Sequence, residues 1–299
     1  MVLSVPATEG AALTAELQPL LGELAAQAGM HFETRQEIVP TDLQTENVRL
    51  AVIAGLDDAS LSALAASAPA TQFLLIGPTG LQPSANLSIL SASVQRPDVQ
   101  AFLAGYIAAG VTKDWRVAVV SEAGTAPGKA ARWGFTNGVD FFCGLCQPVY
   151  PPFPIPSYPL VWELAAGASQ GEWDAALAYF KEWQVQTVYL AGTVASDEAL
   201  SAFAGAGFNL ISDRIPPTGL QERWICSIGA SAPGEALKTI WPDLISWKGG
   251  AKVDLPLAFT HINQAVFSPG RQQYVNEMLA DLLAGFIDTG VDPVTGEKR

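Results

Sequence analysis

Asp98 to Gly124 reads DVQAFLAGYIAAGVTKDWRVAVVSEAG. Val99, Phe102, Leu103, Tyr106, Ile107 and Val111 recur at helical spacing and cover one broad face. Ala101, Ala104, Gly105, Ala108, Ala109 and Gly110 are small and permit close packing on the remaining faces. Thr112, Lys113 and Asp114 interrupt the helix. Trp115 to Val120 (WRVAVV) then forms a β-branched run suited to the middle of a parallel sheet. Ser121, Glu122, Ala123 and Gly124 follow at its carboxyl end, where open α/β sheets place ligands. The polar break at Val111–Trp115 is read as the first crossing between two α/β lobes.

Outward from this stretch the same alternation continues on both sides. Toward the amino terminus, strands are expected at Val2–Val5, Phe32–Val39, Val48–Ala54, Gln72–Ile76 and Asn86–Ala92, with helices at Leu13–Gln27 and Ala59–Ala66. Toward the carboxyl terminus, strands are expected at Val185–Leu190, Phe208–Ile211, Trp224–Ile228 and Leu255–Ile262. The helices there are Gly128–Phe142, Trp173–Trp183, Asp197–Ala206, Gly234–Trp247 and Arg271–Ile287. Strands alternating with helices imply doubly wound parallel sheets. The fold class is α/β: two doubly wound lobes with a hinge, like the periplasmic binding proteins of type I. The expected lobes are 1–111 plus about 236–268, and 112–235 plus about 269–299, with a ligand cleft between them. Closure would turn on Val111–Trp115, Ser231–Glu235 and Ser268–Arg271.

Composition narrows the function. The 299 residues are 49% hydrophobic and only 15% charged, which suits a well-filled core. A net charge of −13 argues against nucleic acid and anionic membranes as partners. No window holds enough uninterrupted apolar residues to cross a membrane. The first strand candidate starts at Val2 with no apolar leader ahead of it, so the chain is either cytoplasmic or a trimmed mature form.

The three cysteines are Cys143, Cys146 and Cys226. Cys143-Gly144-Leu145-Cys146 closes a helix rather than opening one, unlike a redox-active pair, and two histidines leave a zinc site short of ligands. The pair reads either as a local disulfide in an oxidising compartment or as two reduced, half-buried thiols. Cys226 reads as a small core residue.

Catalytic motifs are missing: there is no G-x-S-x-G, H-E-x-x-H, G-x-x-x-x-G-K-[ST] or strand-linked G-x-G-x-x-G. No catalytic residue, metal or cofactor is expected. Binding at strand carboxyl ends is the better reading. The first lobe offers Thr8, Glu9, Asp57, Thr79 and Ser91 there; the second offers Ser121, Glu122, Thr193, Asp213 and Ser227. Asp213, at the end of FNLISD (208–213), can accept hydrogen bonds from a ligand. It can equally cap the turn before Pro216-Pro217. Tyr150, Phe153, Tyr158 and Trp162 could supply a stacking ring or simply pack over the second lobe. His261 could line the site or be an ordinary strand histidine.

Short motifs carry a family resemblance. Phe102-Leu103-Ala104-Gly105-Tyr106, with Ala108-Ala109 and Thr112-Lys113, resembles the "LAG" helix and Thr-Lys break of the basic membrane protein (BMP/PnrA-like) substrate-binding lipoproteins. Gly134-Phe135-Thr136-Asn137-Gly138-Val139 resembles that family's "GFxxGv". The resemblance implies an extracytoplasmic, lipid-anchored receptor of an ABC importer, delivering a nucleoside to its permease as a monomer. It places Asp213 on the ribose hydroxyls, Gly192-Thr193 in the "aGgtG" loop and Ser227 at "tS". The first loop departs from the family's "DxSFN": here it is Ala7-Thr8-Glu9-Gly10-Ala11-Ala12-Leu13, with Glu9 as the available acceptor. Ala230 stands near where the family has a Lys. Thiamine-like or sugar-like ligands are the next classes. An enzyme using Glu9, Glu122 and Asp213, or a sensor domain, would share the scaffold.

Overall fold

The computed structural model describes residues 1–5, 10–45, 47–77, 79–92, 96–149 and 157–299. The chain forms two compact units, Met1–Gln95 with Ala230–Ala258, and Arg96–Gly229 with Phe259–Arg299.

The first unit holds β1 (Val2–Ser4), α1 (Gly10–Gln27), β2 (Glu33–Arg35), α2 (Pro40–Thr45), β3 (Leu50–Ala54), α3 (Asp58–Ser67), β4 (Gln72–Ile76) and β5 (Leu87–Ala92). The second unit opens with α4 (Pro97–Val111) and continues through β6 (Val117–Glu122), α5 (Ala126–Cys143), β7 (Leu160–Leu164), α6 (Gln170–Glu182), β8 (Thr187–Leu190), α7 (Asp197–Gly205), β9 (Asn209–Ser212) and β10 (Trp224–Ala230). Then come α8 (Gly234–Ile245) and β11 (Lys252–Leu255) of the first unit, followed by β12 (Leu257–Thr260) and α9 (Pro269–Leu283).

Each sheet has six strands, in the orders β2-β1-β3-β4-β5-β11 and β7-β6-β8-β9-β10-β12. Both share one winding: the first strand of each lobe sits inside its second, and the order then runs outward through the third, fourth and fifth. The registered pairs from β1 to β5 with β11, and from β6 to β10, are parallel. This is an open doubly wound α/β arrangement in each lobe. Its order reverses at β1/β3 and at β6/β8, and such switch points are where ligands bind.

Both faces of each sheet are buried, which explains the continuous apolar strands. Leu3, Val52, Leu74 and Leu90 meet α1 and α8 through Leu17, Leu21, Leu237 and Trp241. Their strand neighbours Val2, Ile53, Phe73 and Ile89 meet α3 through Leu61 and Leu64. In the second sheet Val120, Val188, Leu190 and Leu210 meet α6 and α7 through Phe180 and Phe203. On the opposite face Tyr189 stacks on Phe135 of α5, centroids 6.0 Å apart.

The division of the chain corrects the expected boundaries. Helix α4 belongs to the second unit, not the first, and the units exchange at 95/96, 229/230 and 258/259. The reason is a backbone-to-backbone helix contact. A Cβ added at Gly105 would lie 2.1 Å from the Phe135 carbonyl oxygen, and one at Gly138 1.9 Å from that of Phe102. At Gly134 it would lie 2.4 Å from the Asp98 carbonyl oxygen. Buried Asp98 then accepts from Arg96 Nε (2.9 Å) and Nη2 (2.8 Å) and from Thr289 Oγ1 (2.9 Å). At the other end the buried Thr112 hydroxyl donates to Thr187 of β8 at 2.7 Å. The polar break, a 3-10 turn at Lys113–Trp115, therefore joins α4 to β6 within one unit.

Cys143 and Cys146 are joined by a disulfide at the carboxyl end of α5, and Cys226 is a free, buried thiol whose pKa burial pushes up. Strand β7 and helix α2 were not expected, and Pro256 splits the expected Leu255–Ile262 strand into β11 and β12.

Gly138→Ala should lower stability by about 3 kcal/mol or more, because neither helix backbone can give way. Gly171→Ala, whose added methyl would meet nothing within 4 Å on an ordinary backbone, should be neutral or stabilising by about 0.5–1 kcal/mol. Urea midpoints of the two variants check both. Thiol titration of denatured protein should count one thiol before reduction and three after.

Candidate functional site

The second lobe's carboxyl edge carries most of the expected binding residues. Gly192 begins a 3-10 turn after β8 in the left-handed region (φ 61°), which turns its N–H toward β9. That N–H donates to Asp213 Oδ2 at 3.0 Å. Ser212 Oγ lies 3.4 Å from Asp213 Oδ1 but directs its proton to the Leu190 carbonyl at 2.9 Å. A hydroxyl has one proton, so among the described residues Oδ1 keeps its acceptor capacity. Asp213 is half-buried. Burial raises its pKa above the usual carboxylate value, partly offset by the Gly192 hydrogen bond and by Arg214.

Ser227 lies on β10 opposite Ser212 and is buried. Its Oγ donates to the Arg214 carbonyl (2.8 Å) and accepts from Trp224 Nε1 (3.2 Å). His261 Nδ1 is 3.3 Å from that oxygen and 3.0 Å from Thr260 Oγ1. The Ser227 proton is committed to a carbonyl, so this Ser-His contact is not an activated nucleophile. Ser227 instead fixes the turn that follows Asp213.

Gly192, Asp213 and Ser227 are thus brought together. Glu122 stands half-buried at the end of the neighbouring β6. Ser121 beside it is fully buried, and its hydroxyl has no partner among the described residues. Thr193 is in the Gly192 turn, with its side chain outside the described set. Of the ring candidates, Tyr158 donates its hydroxyl to the Trp115 carbonyl (2.7 Å) and Trp162 packs on Tyr179 (5.3 Å). Both are used structurally. Tyr150 and Phe153 lie outside the described residues.

In the first lobe, Thr8 and Glu9 also lie outside the described residues. Asp57 caps α3, accepting from Ser60 N at 2.9 Å, and hydrogen bonding by the Ser60 hydroxyl, then by its N–H, lowers the Asp57 pKa. The Thr79 hydroxyl donates to Asp58, whose other oxygen accepts from Gly80 N at 2.9 Å. Ser91 is buried in β5 beside Asp254 of β11. Asp57 and Thr79 therefore shape the loops after β3 and β4.

No cluster of His, Cys, Asp or Glu among the described residues could hold a metal ion. No helix among them is long and apolar enough to cross a membrane.

No known family model and no curated protein matches this sequence. Solved structures do share its fold. An ABC transporter solute-binding protein from Conexibacter woesei DSM 14684 superposes with a TM-score of 0.69 at 15% identity, covering 96% of this chain and 98% of that one. A solute-binding protein of an ABC transporter system from Aeropyrum pernix K1 gives 0.57 at 15% identity, over 99% and 83%. A transcriptional activator of the comK gene from Bacillus halodurans gives 0.58 at 15% identity, over 98% and 99%. Identities this low establish a common fold, that of the periplasmic-binding-protein type, and function follows from the site.

Asp213→Asn keeps an acceptor for Gly192 N–H and removes a charge that burial disfavours. The raised folded-state pKa means that ionised Asp213 costs stability above that pKa, and the cost vanishes as pH falls below the unfolded value. The variant should therefore melt higher than wild type at pH 7, and the difference should close by pH 3. Paired melting curves at both pH values check this.

Proposed function

We propose that this protein is the extracytoplasmic solute-binding component of an ABC importer. Its ligand is small, polar and ring-containing, with a nucleoside leading, and it passes to a membrane permease. The observation that carries this reading is Asp213: a half-buried carboxylate at the carboxyl end of β9, anchored by Gly192 N–H through one oxygen, with acceptor capacity on the other among the described residues. Two vicinal hydroxyls of a ribose suit such a group, since an ionised carboxylate accepts and never donates.

Three further observations support it. Both lobes are wound with the order whose switch points hold ligands in open α/β sheets. Two similar folds come from ABC-transporter solute-binding proteins. The Cys143–Cys146 disulfide suits an oxidising compartment outside the cytoplasm. The BMP/PnrA-like motifs add the nucleoside class and a lipid anchor. The Ser227 hydrogen bonds speak against an enzyme here.

The ligand contact needs ionised Asp213, so affinity should fall as pH drops, beginning above the range of an exposed aspartate. A thermal-shift screen against nucleosides, bases, thiamine, ribose and arabinose tests the reading. Ligand at a hundred times its dissociation constant should stabilise by about 2.7 kcal/mol. The expected result is a nucleoside shift abolished in Asp213→Ala. A response to thiamine or free sugars alone would keep the solute-binding role and replace the ligand class. A nucleoside shift unchanged in Asp213→Ala would remove the assigned site.

A further inference from the structure

We propose that Gln100, in the first turns of α4, is a further ligand-contact residue beside Asp213; this rests on the solute-binding reading above. Gln100 Nε2 donates to the Ile228 carbonyl at 3.0 Å, across 128 residues of sequence. Ser227 pairs with Ser212, so the next step along the same register sets Ile228 beside Asp213. A Cβ added at Gly229 would lie 3.4 Å from the Asp213 carbonyl oxygen, which places this part of β10 against Asp213 independently. Adjacent strands lie roughly 4.8 Å apart, so the carbonyl that holds the Gln100 carboxamide belongs to a residue about one strand spacing from the Asp213 backbone.

The two residues also share a side of the sheet. Tyr189 pairs with Ile211, and Asp213 lies two positions beyond Ile211, on the face where Phe135 stacks on Tyr189. Helix α4 packs on β6, β8 and β9 from that side.

Gln100 is half-buried, and among the described residues its carboxamide makes only the bond to Ile228. Among the described residues, its second N–H and its carbonyl oxygen make no hydrogen bond. A buried strand carbonyl thus orients an amide that presents a donor and an acceptor next to an acceptor-only carboxylate. The pair suits a ligand offering hydroxyl protons to Asp213 and a mixed donor-acceptor edge to Gln100. It disfavours anions, for which Asp213 is repulsive.

The test uses the full chain and the panel ligand giving the largest thermal shift, titrated calorimetrically into wild type, Gln100→Met, Gln100→Glu and Asp213→Ala. Methionine keeps the length and removes the hydrogen bonds. Gln100→Met should raise the dissociation constant about tenfold, the size of a lost ligand hydrogen bond, with the apo protein still melting cooperatively. Gln100→Glu should weaken binding as well, since it lacks the donor. A purely structural role would lower the apo melting temperature and leave the dissociation constant within about twofold of wild type; that result overturns the proposal. Loss of binding in Asp213→Ala with none in Gln100→Met likewise rejects Gln100 and leaves the solute-binding reading standing.

A panel silent toward wild type would reject the ligand class. Gln100 is then judged by its side-chain amide resonances, assigned by their loss in Gln100→Met. One proton protected from exchange and one exchanging freely supports the inference. Two free protons, or two protected ones, overturn it.

Discussion

The contact between α4 and α5 is the constraint on which the second lobe depends. Gly105, Gly134 and Gly138 let two helix backbones approach where no side chain would fit. That approach fixes α4 over the face of the sheet bearing Tyr189, and the Asp98 and Thr112 hydrogen bonds hold its two ends. Because α4 is held there, its amino-terminal turns reach the carboxyl edge of β10, where Gln100 meets the Ile228 carbonyl. Motifs that carry a family resemblance in sequence are thus, in the fold, the residues of a helix-helix contact.

Much of the architecture was legible in the pattern of residues. Buried parallel strands such as LAVIA at 50–54 and QFLLI at 72–76 have no polar interruption, so their positions follow directly from the apolar runs. The ownership of α4 did not follow, because the helix is apolar nearly all round and could cover either lobe. Glycine spacing could have signalled it: Gly134 and Gly138 are four apart on one face, opposite a small-residue helix. Strand β7 was hidden because it is an edge strand carrying Glu163, next to a proline-rich stretch, and edge strands tolerate charge. The split at Pro256 reflects a residue that cannot donate to a sheet ladder.

The site was legible in part. Asp213 could be placed at a strand end from the FNLISD pattern, and it stands just past the end of β9. The turn after Asp213 is held by Ser212 and Ser227, and among the described residues the carboxylate accepts from Gly192 N–H on one oxygen and has the Ser212 hydroxyl 3.4 Å from the other. Asp57 and Thr79 show the opposite case: polar residues at strand ends that serve their own loops. Gln100 carried no local signal, since a glutamine in a helix is ordinary and its role comes from a contact across 128 positions. The raised pKa of Asp213 is consistent with a polar group retained at a stability cost, as ligand sites often require.

Backbone amide shift mapping decides whether the carboxyl edge of the second sheet takes the ligand. Isotope-labelled protein would be titrated with the panel nucleosides and sugars. The expected perturbations centre on Gly192, Asp213, Ile228 and Glu122. Perturbations confined to the amino-terminal edge of the first sheet, around the pocket of Met30, Asn47 and Arg49, would contradict it.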